Sequence, residues 1–166
     1  MSLLQLFKAS LYSPKKMAAF RLIPIGKVMQ YIFSYIFIMS IISLFYFING
    51  ISDQQQTMEG LLEYFAKIQW LLYPFSFIFL FVLNTLLIFV RISIFAYIGS
   101  IILQLRKKKG EFRHIWRTAL FASTIPMLIS IILAILQVSN NYLQIVIYTL
   151  TLIIIFLTTK YYPVKR

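Results

Sequence analysis

Four long apolar stretches, separated by short polar segments, set the architecture of the chain. Val28 to Ile48 is 21 residues without a charged side chain. At about 1.5 Å per helical residue it crosses the roughly 30 Å hydrocarbon core of a bilayer. A second run extends over 70–105, a third over 118–136 and a fourth over 142–159. The fourth is short, but Asn140 and Asn141 precede it and Lys160 follows it.

The second run poses a choice. It has 36 residues and one charge, Arg91. Two crossings with a turn need about 40 residues, and the middle of the run has no Pro or Gly turn. One crossing over about 70–91, with a helical extension to 105, fits better. The positive-inside rule decides the matter. With one crossing, the inner side holds the N-terminal segment, "RKKKGEFRHIWR" (106–117) and "KYYPVKR" (160–166). The outer side holds "NGISDQQQTMEGLLEYFAK" (49–67) and "VSNN" (138–141), with Asp53, Glu59 and Glu63 against Lys67. Two crossings would put the densest basic cluster outside. The expectation is an all-α integral membrane protein with four transmembrane helices and both termini cytoplasmic.

The segment before the first span, residues 1–27, has a different pattern. Leu3, Leu4, Phe7 and Leu11 share one face of a short helix. Ser13-Pro14 restarts the chain, as an N-cap followed by a proline suited to the first turn. "KKMAAFRLI" follows and Pro24 stops it. Its short, proline-broken apolar stretches do not read as a cleaved leader. They predict an amphipathic interfacial segment on the inner leaflet, with Lys15, Lys16 and Arg21 at the membrane surface. Residues 28–166 then form the four-helix domain. In the outer loop, Ser52 or Thr57 can cap a helix that Leu61, Leu62 and Phe65 make apolar on one side, with a bend near Pro74.

Composition agrees. The chain is 61% hydrophobic and 12% charged, about half the charge of a soluble domain. The formal charge of +12 would suggest nucleic acid in a soluble protein. Here topology accounts for it, and no nucleic-acid partner is expected. There is no cysteine, hence no disulfide, thiolate metal site or thiol nucleophile.

Chemistry needs polar groups gathered in one place, and the pattern offers few. No Asp or Glu lies within a span, which argues against a carboxylate protease or proton relay. The single histidine, His114, sits beside Arg113, Trp116 and Arg117. A Ser–His pair would need Ser93 or Ser123 at the inner interface. No metal spacing, cofactor motif or catalytic set is present. Arg91, near the inner end of the second span, reads as a snorkelling anchor or as a buried partner for a polar group or lipid phosphate. Beyond it, Ser93, Tyr97, Ser100 and Gln104 form one polar stripe, which suits an interfacial helix or one packed on the N-terminal segment.

The third span is the most informative. Ala122, Pro126, Ser130 and Ala134 recur every four residues as a small-residue face that lets another helix approach. Thr124-Ile125-Pro126 introduces a kink, with Ser123 or Thr124 placed to satisfy the carbonyl that proline frees. Asn84, mid-span, either hydrogen-bonds another helix or touches a substrate.

"LFKASLYSPKKMAAFRLIPIGK", the long second run ending in a basic loop, and "WRTALFASTIPMLISII" resemble bacterial domain-of-unknown-function family 1189. Its members are often labelled maltodextrin-utilisation protein and are similar to Yip-type membrane proteins. The resemblance implies a Gram-positive plasma membrane and a helical bundle, and points towards sugar uptake. The loop between the first two spans is shorter here than is usual in that family, so no role of that region is carried over. Two functions are expected. One is a non-enzymatic accessory or regulatory subunit of a larger membrane complex, such as a sugar-uptake transporter. Its partner face would comprise Ala122, Pro126, Ser130, Ala134 and Asn84. The other is a small transporter or lipid-handling protein with a site near Asn84, Arg91 and Pro126. Anionic inner-leaflet lipids and either a larger complex or a homo-oligomer are the expected partners.

Overall fold

The computed structural model describes residues 3–12, 14–55, 62–136, 138 and 141–164 of the 166. The elements are α1 (Leu3–Tyr12), α2 (Pro14–Ala19), a 3-10 turn (Phe20–Leu22), α3 (Ile25–Gln55), α4 (Leu62–Leu105), α5 (Phe112–Ala122), α6 (Thr124–Ile135) and α7 (Asn141–Thr159). Among the described residues there is no strand, only an isolated bridge between Lys108 and Val164. Ser13, Thr57, Glu59 and Leu61 lie outside the described residues. So do the side chains of Leu3, Leu4, Leu11, Pro14, Lys16, Ser52, Asp53, Leu62, Glu63 and Phe65.

Among the described residues, four stretches are long and apolar enough to cross a membrane: Ile25–Gly50, Trp70–Leu105, Phe112–Ile135 and Tyr142–Thr159. They contain the runs read from the sequence, except that the third ends at Ile135, one residue before the expected Leu136. The second is uninterrupted helix through Pro74 and on to Leu105. The third begins six residues ahead of the expected Thr118, because Glu111 starts the helix early. Its backbone is extended (φ −88°, ψ 158°), and its N–H donates to His114 Nδ1 at 3.3 Å. An acid also suits a helix N-terminus.

The third span is two helices. Pro126 has no N–H to give to Ala122, so the ladder is interrupted there. Ser123 absorbs the break. Its N–H is shared between Ala119 O (3.0 Å) and Leu120 O (3.2 Å), and Met127 N–H resumes the pattern on Ser123 O at 2.8 Å. The hydroxyls act elsewhere: Ser123 Oγ donates to Ala119 O at 2.8 Å, and Thr124 Oγ1 is 2.9 Å from Tyr31 OH.

The chain divides into two compact units, one of residues 1–32 with 89–166 and one of residues 33–88. In the first, α5 packs against α2, the 3-10 turn, α6 and α7, while α6 packs against α1 and α7. Leu6, Met17, Phe20, Val28, Ile92, Ile115, Phe121 and Ile155 form its core. Phe20 meets Phe121 edge-on at 4.8 Å. The N-terminal segment thus turns Leu6, Met17, Ala18 and Phe20 into the protein, leaving Gln5, Lys8 and Lys15 exposed. The 92–105 extension is built the same way. Ile92, Phe95, Ala96, Gly99 and Leu103 are buried, a 3–4 spacing that marks one helix face. On the polar stripe, Tyr97 and Gln104 are exposed and Ser93 and Ser100 half-buried.

In the second unit α3 and α4 lie antiparallel. Phe33 pairs with Phe81 (6.4 Å) and Phe37 with Phe77 (6.0 Å). Ser76 and Ile88 are buried, yet Phe45, Phe75, Ile78 and Leu87 are each more than half exposed. A helix pair that is apolar on its outer surface is suited to lipid as solvent.

Candidate functional site

Among the described residues, polar side chains gather where α4, the 106–111 loop and the tail after α7 converge, all within the first unit. Lys107 ends α4 in the left-handed region (φ 52°). Lys108 N–H then reaches back to Leu103 O at 2.9 Å, the reversal that commonly closes a helix. Lys109 N–H donates to Pro163 O at 2.7 Å, so loop and tail are joined backbone to backbone.

Tyr162 fills the space between them. It is 2% exposed, whereas its neighbour Tyr161 is 49% exposed. Its hydroxyl is 2.6 Å from Thr118 Oγ1 and 3.2 Å from His114 O, and Thr118 Oγ1 is itself 3.1 Å from that carbonyl. One hydroxyl donates to the carbonyl and the other to the first hydroxyl, which uses both protons. The Arg21 guanidinium lies over the Tyr162 ring, 5.2 Å from its centre. Burial pushes the phenol above its ordinary value near 10, offset in part by the Thr118 hydrogen bond and the Arg21 charge.

Two further arginines close helix ends. Arg106 Nη1 donates to Phe156 O (3.0 Å) and Thr159 Oγ1 (3.2 Å), with its guanidinium over the Phe156 ring at 3.7 Å. A cation there suits the carbonyl end of α7. Arg117 Nη1 donates to Arg21 O at 2.9 Å, tying α5 to the 3-10 turn. Glu111 pairs with Arg113, both largely exposed, so the pair adds little stability. Trp116 Nε1 donates to Ser93 Oγ at 3.2 Å. The two serines considered as partners of His114 are thus engaged elsewhere, and His114 Nδ1 itself accepts the Glu111 N–H.

The residues singled out from the sequence fall in different places. Asn84, in the second unit, donates to Ser43 Oγ (3.2 Å) and Ser40 Oγ (3.4 Å), a bond from one helix to the other. Asn84→Ala is expected to cost about 1 kcal/mol. Adding Ser40→Ala and Ser43→Ala should cost little more, since the three share one interaction. Strictly additive losses in thermal melts would show that these contacts are not coupled. Arg91, in the first unit, is half-buried with its guanidinium over the Tyr148 ring at 4.6 Å. In the small-residue row, Ala122 and Pro126 are buried, while Ser130 and Ala134 are half-buried. Lys15 is exposed, the Lys16 side chain lies outside the described residues, and Arg21 is half-buried against Tyr162.

Tyr162, Thr118, Arg106 and Gly99 do not stand out in the sequence. Nothing local in the sequence separates Tyr162 from Tyr161. No group of three or more His, Asp or Glu placed to hold a metal occurs among the described residues.

These features define an all-helical, multi-pass membrane protein. Residues 52–159 match the family described as "Protein of unknown function (DUF1189)", and the chain belongs to that family. The matched segment spans α4 to α7 and leaves "SLYSPKKMAAFR" outside it. No curated protein and no solved structure matches the chain.

Proposed function

We propose that this protein is a non-enzymatic accessory subunit that binds a larger membrane complex, with both termini in the cytoplasm. The observation that supports this reading is where the polar side chains go. Asn84, Thr118, Trp116, Arg106 and Tyr162 are each engaged in holding the protein's own helices and tail together. They build a scaffold instead of converging on one reacting centre. Outside that scaffold stand exposed Lys107, Lys109 and Lys160. On the proposed topology these face the cytoplasm, where residues 1–27 rest on the anionic leaflet through Lys8 and Lys15. Each such cation contributes about 1 kcal/mol of attraction near that surface. Ala122 and Pro126 are used in internal packing, so a partner helix meets Ser130 and Ala134. The family resemblance makes sugar-uptake machinery one candidate complex.

The cysteine-free chain makes the topology directly testable. With single cysteines at Gln55 and Lys109, an impermeant thiol reagent on intact cells should label only the first, and both after permeabilisation. Labelling of the second on intact cells would overturn the proposed orientation.

The subunit reading is tested by purification in mild detergent. The parent chain should bring a stoichiometric membrane partner. Ser130→Leu and Ala134→Leu should remain monodisperse but lose that partner. An overpacked contact costs about 1–3 kcal/mol, and about 1.4 kcal/mol is tenfold in affinity. Recovery of the parent only as a homo-oligomer, or retention of the partner by both variants, would count against it.

A further inference from the structure

The N-terminal segment carries a groove of about 360 Å³. Its floor is Leu6 of α1 and Phe20 of the 3-10 turn, exposed by 0% and 3%. Its rim is Leu22, Ile23 and Pro24, and its one charged lining residue is Lys27, which is exposed. Leu22 is 73% exposed, so the apolar surface continues outward past the rim. A groove of this size is within the range that holds small ligands, about 300–1,000 Å³.

Three features identify its occupant. The groove ends where the first membrane-crossing stretch, Ile25–Gly50, begins, so a molecule in it meets the bilayer where headgroups give way to acyl chains. Its lining is apolar apart from a single cation, which matches an amphiphile whose one charged group is negative. It also offers no set of side-chain donors and acceptors for an extended peptide, whose backbone groups must be paired when buried. We infer that this groove takes one acyl chain of an anionic phospholipid, with the Lys27 ammonium on the lipid phosphate. The inference rests on the reading that residues 1–27 lie at the membrane surface. Bound there, one lipid would hold the 3-10 turn, and through it Arg21 and Arg117, against the start of α3.

The test uses the full chain, purified in mild detergent with equimolar phosphatidylglycerol and phosphatidylcholine and examined by native mass spectrometry. The parent should retain one phosphatidylglycerol about fivefold over phosphatidylcholine, the equivalent of about 1 kcal/mol for one cation. Lys27→Gln should remove that preference. Ala19→Trp, which fills the groove from α2, should remove retention of both lipids. Because Ala19→Trp could disturb folding, Leu22→Gln serves as a second variant. That side chain is largely exposed, and its change should lower retention while the protein stays monodisperse. A parent that keeps neither lipid, or variants that keep phosphatidylglycerol as the parent does, would sink the inference. The surface reading fails separately. A depth-sensitive probe on residues 10–21 that reports water while the Lys27-dependent lipid is still retained removes the surface docking and leaves the groove. A probe that reports the interface with no retained lipid removes only the groove.

Discussion

Gly99→Leu is expected to abolish the packed state of residues 89–166. A Cβ at this position would sit 2.8 Å from Ile115 Cγ1 and 3.1 Å from Ile155 Cγ2. Both isoleucines are fully buried, so neither can swing aside into solvent. The opposing term is small, since alanine gains about 1 kcal/mol over glycine within a helix. Overpacking a core typically costs about 1–3 kcal/mol for extra methylenes, and leucine adds four heavy atoms here. Gly99→Ala should therefore melt below the parent or near it, and Gly99→Leu should aggregate on extraction. The control is Gly26→Ala. Nothing lies within 4 Å of a Cβ built at Gly26, and Gly26 sits in the first turn of α3, so that change should leave stability unchanged or raise it by less than the roughly 0.5–1 kcal/mol of a helix interior. Fluorescence-detected size exclusion across a temperature series reads all three. A Gly99→Leu protein that melts with the parent would show that α4 does not approach α5 and α7 as closely as described.

Tyr162→Ala should release the tail and loosen the 106–111 loop with it. A buried aromatic replaced by alanine costs about 3–5 kcal/mol, and here the lost ring also abuts Gly110, Leu103's neighbour in the same pocket of side chains. Tyr162→Phe keeps the ring and loses the hydroxyl. Thr118 still has His114 O to donate to, so no buried donor is stranded and the cost should fall to about 0.5–1.5 kcal/mol. The measurements are melting temperature and protection of Lys109 N–H from hydrogen exchange. Unchanged protection in Tyr162→Ala would remove the tyrosine from its role as the anchor.

The same residue gives a pH dependence with a defined sign. Its folded pKa is raised, so the fold holds the phenolic proton more tightly than the unfolded chain does. That contribution is fully present below the unfolded value near 10 and is lost as pH rises through the folded value above it. Tyr162→Phe should therefore flatten the alkaline fall in stability relative to the parent. A parent and variant that fall in parallel above pH 10 would show that the phenol ionises equally in both states.

The apolar blocks located the four described stretches that are long and apolar enough to cross a membrane, without reference to any contact. Those features are local. Twenty apolar residues commit a segment to helix in a bilayer whatever surrounds them, because an unpaired backbone group in hydrocarbon is too costly. The proline of Thr-Ile-Pro likewise announced the break in the third span, since a missing N–H is a property of one residue. Asn84 was legible as a helix-to-helix donor for the same kind of reason, although its acceptors Ser40 and Ser43 were not.

What only the tertiary structure decided concerns which side of each helix meets protein. The small-residue row on the third span reads as one continuous face, yet Ala122 and Pro126 are buried in the protein's own packing and Ser130 and Ala134 less so. Inside a membrane, apolar residues that face lipid and those that face another helix have the same character, so spacing does not tell them apart. Tyr161 and Tyr162 differ by one position along the chain and by nearly the full range of burial. That difference is set by the backbone bond from Lys109 to Pro163, which joins segments more than fifty residues apart. Gly99 makes the same point. Its value lies in the isoleucines of two other helices, and a contact between distant segments leaves no mark at the residue that permits it.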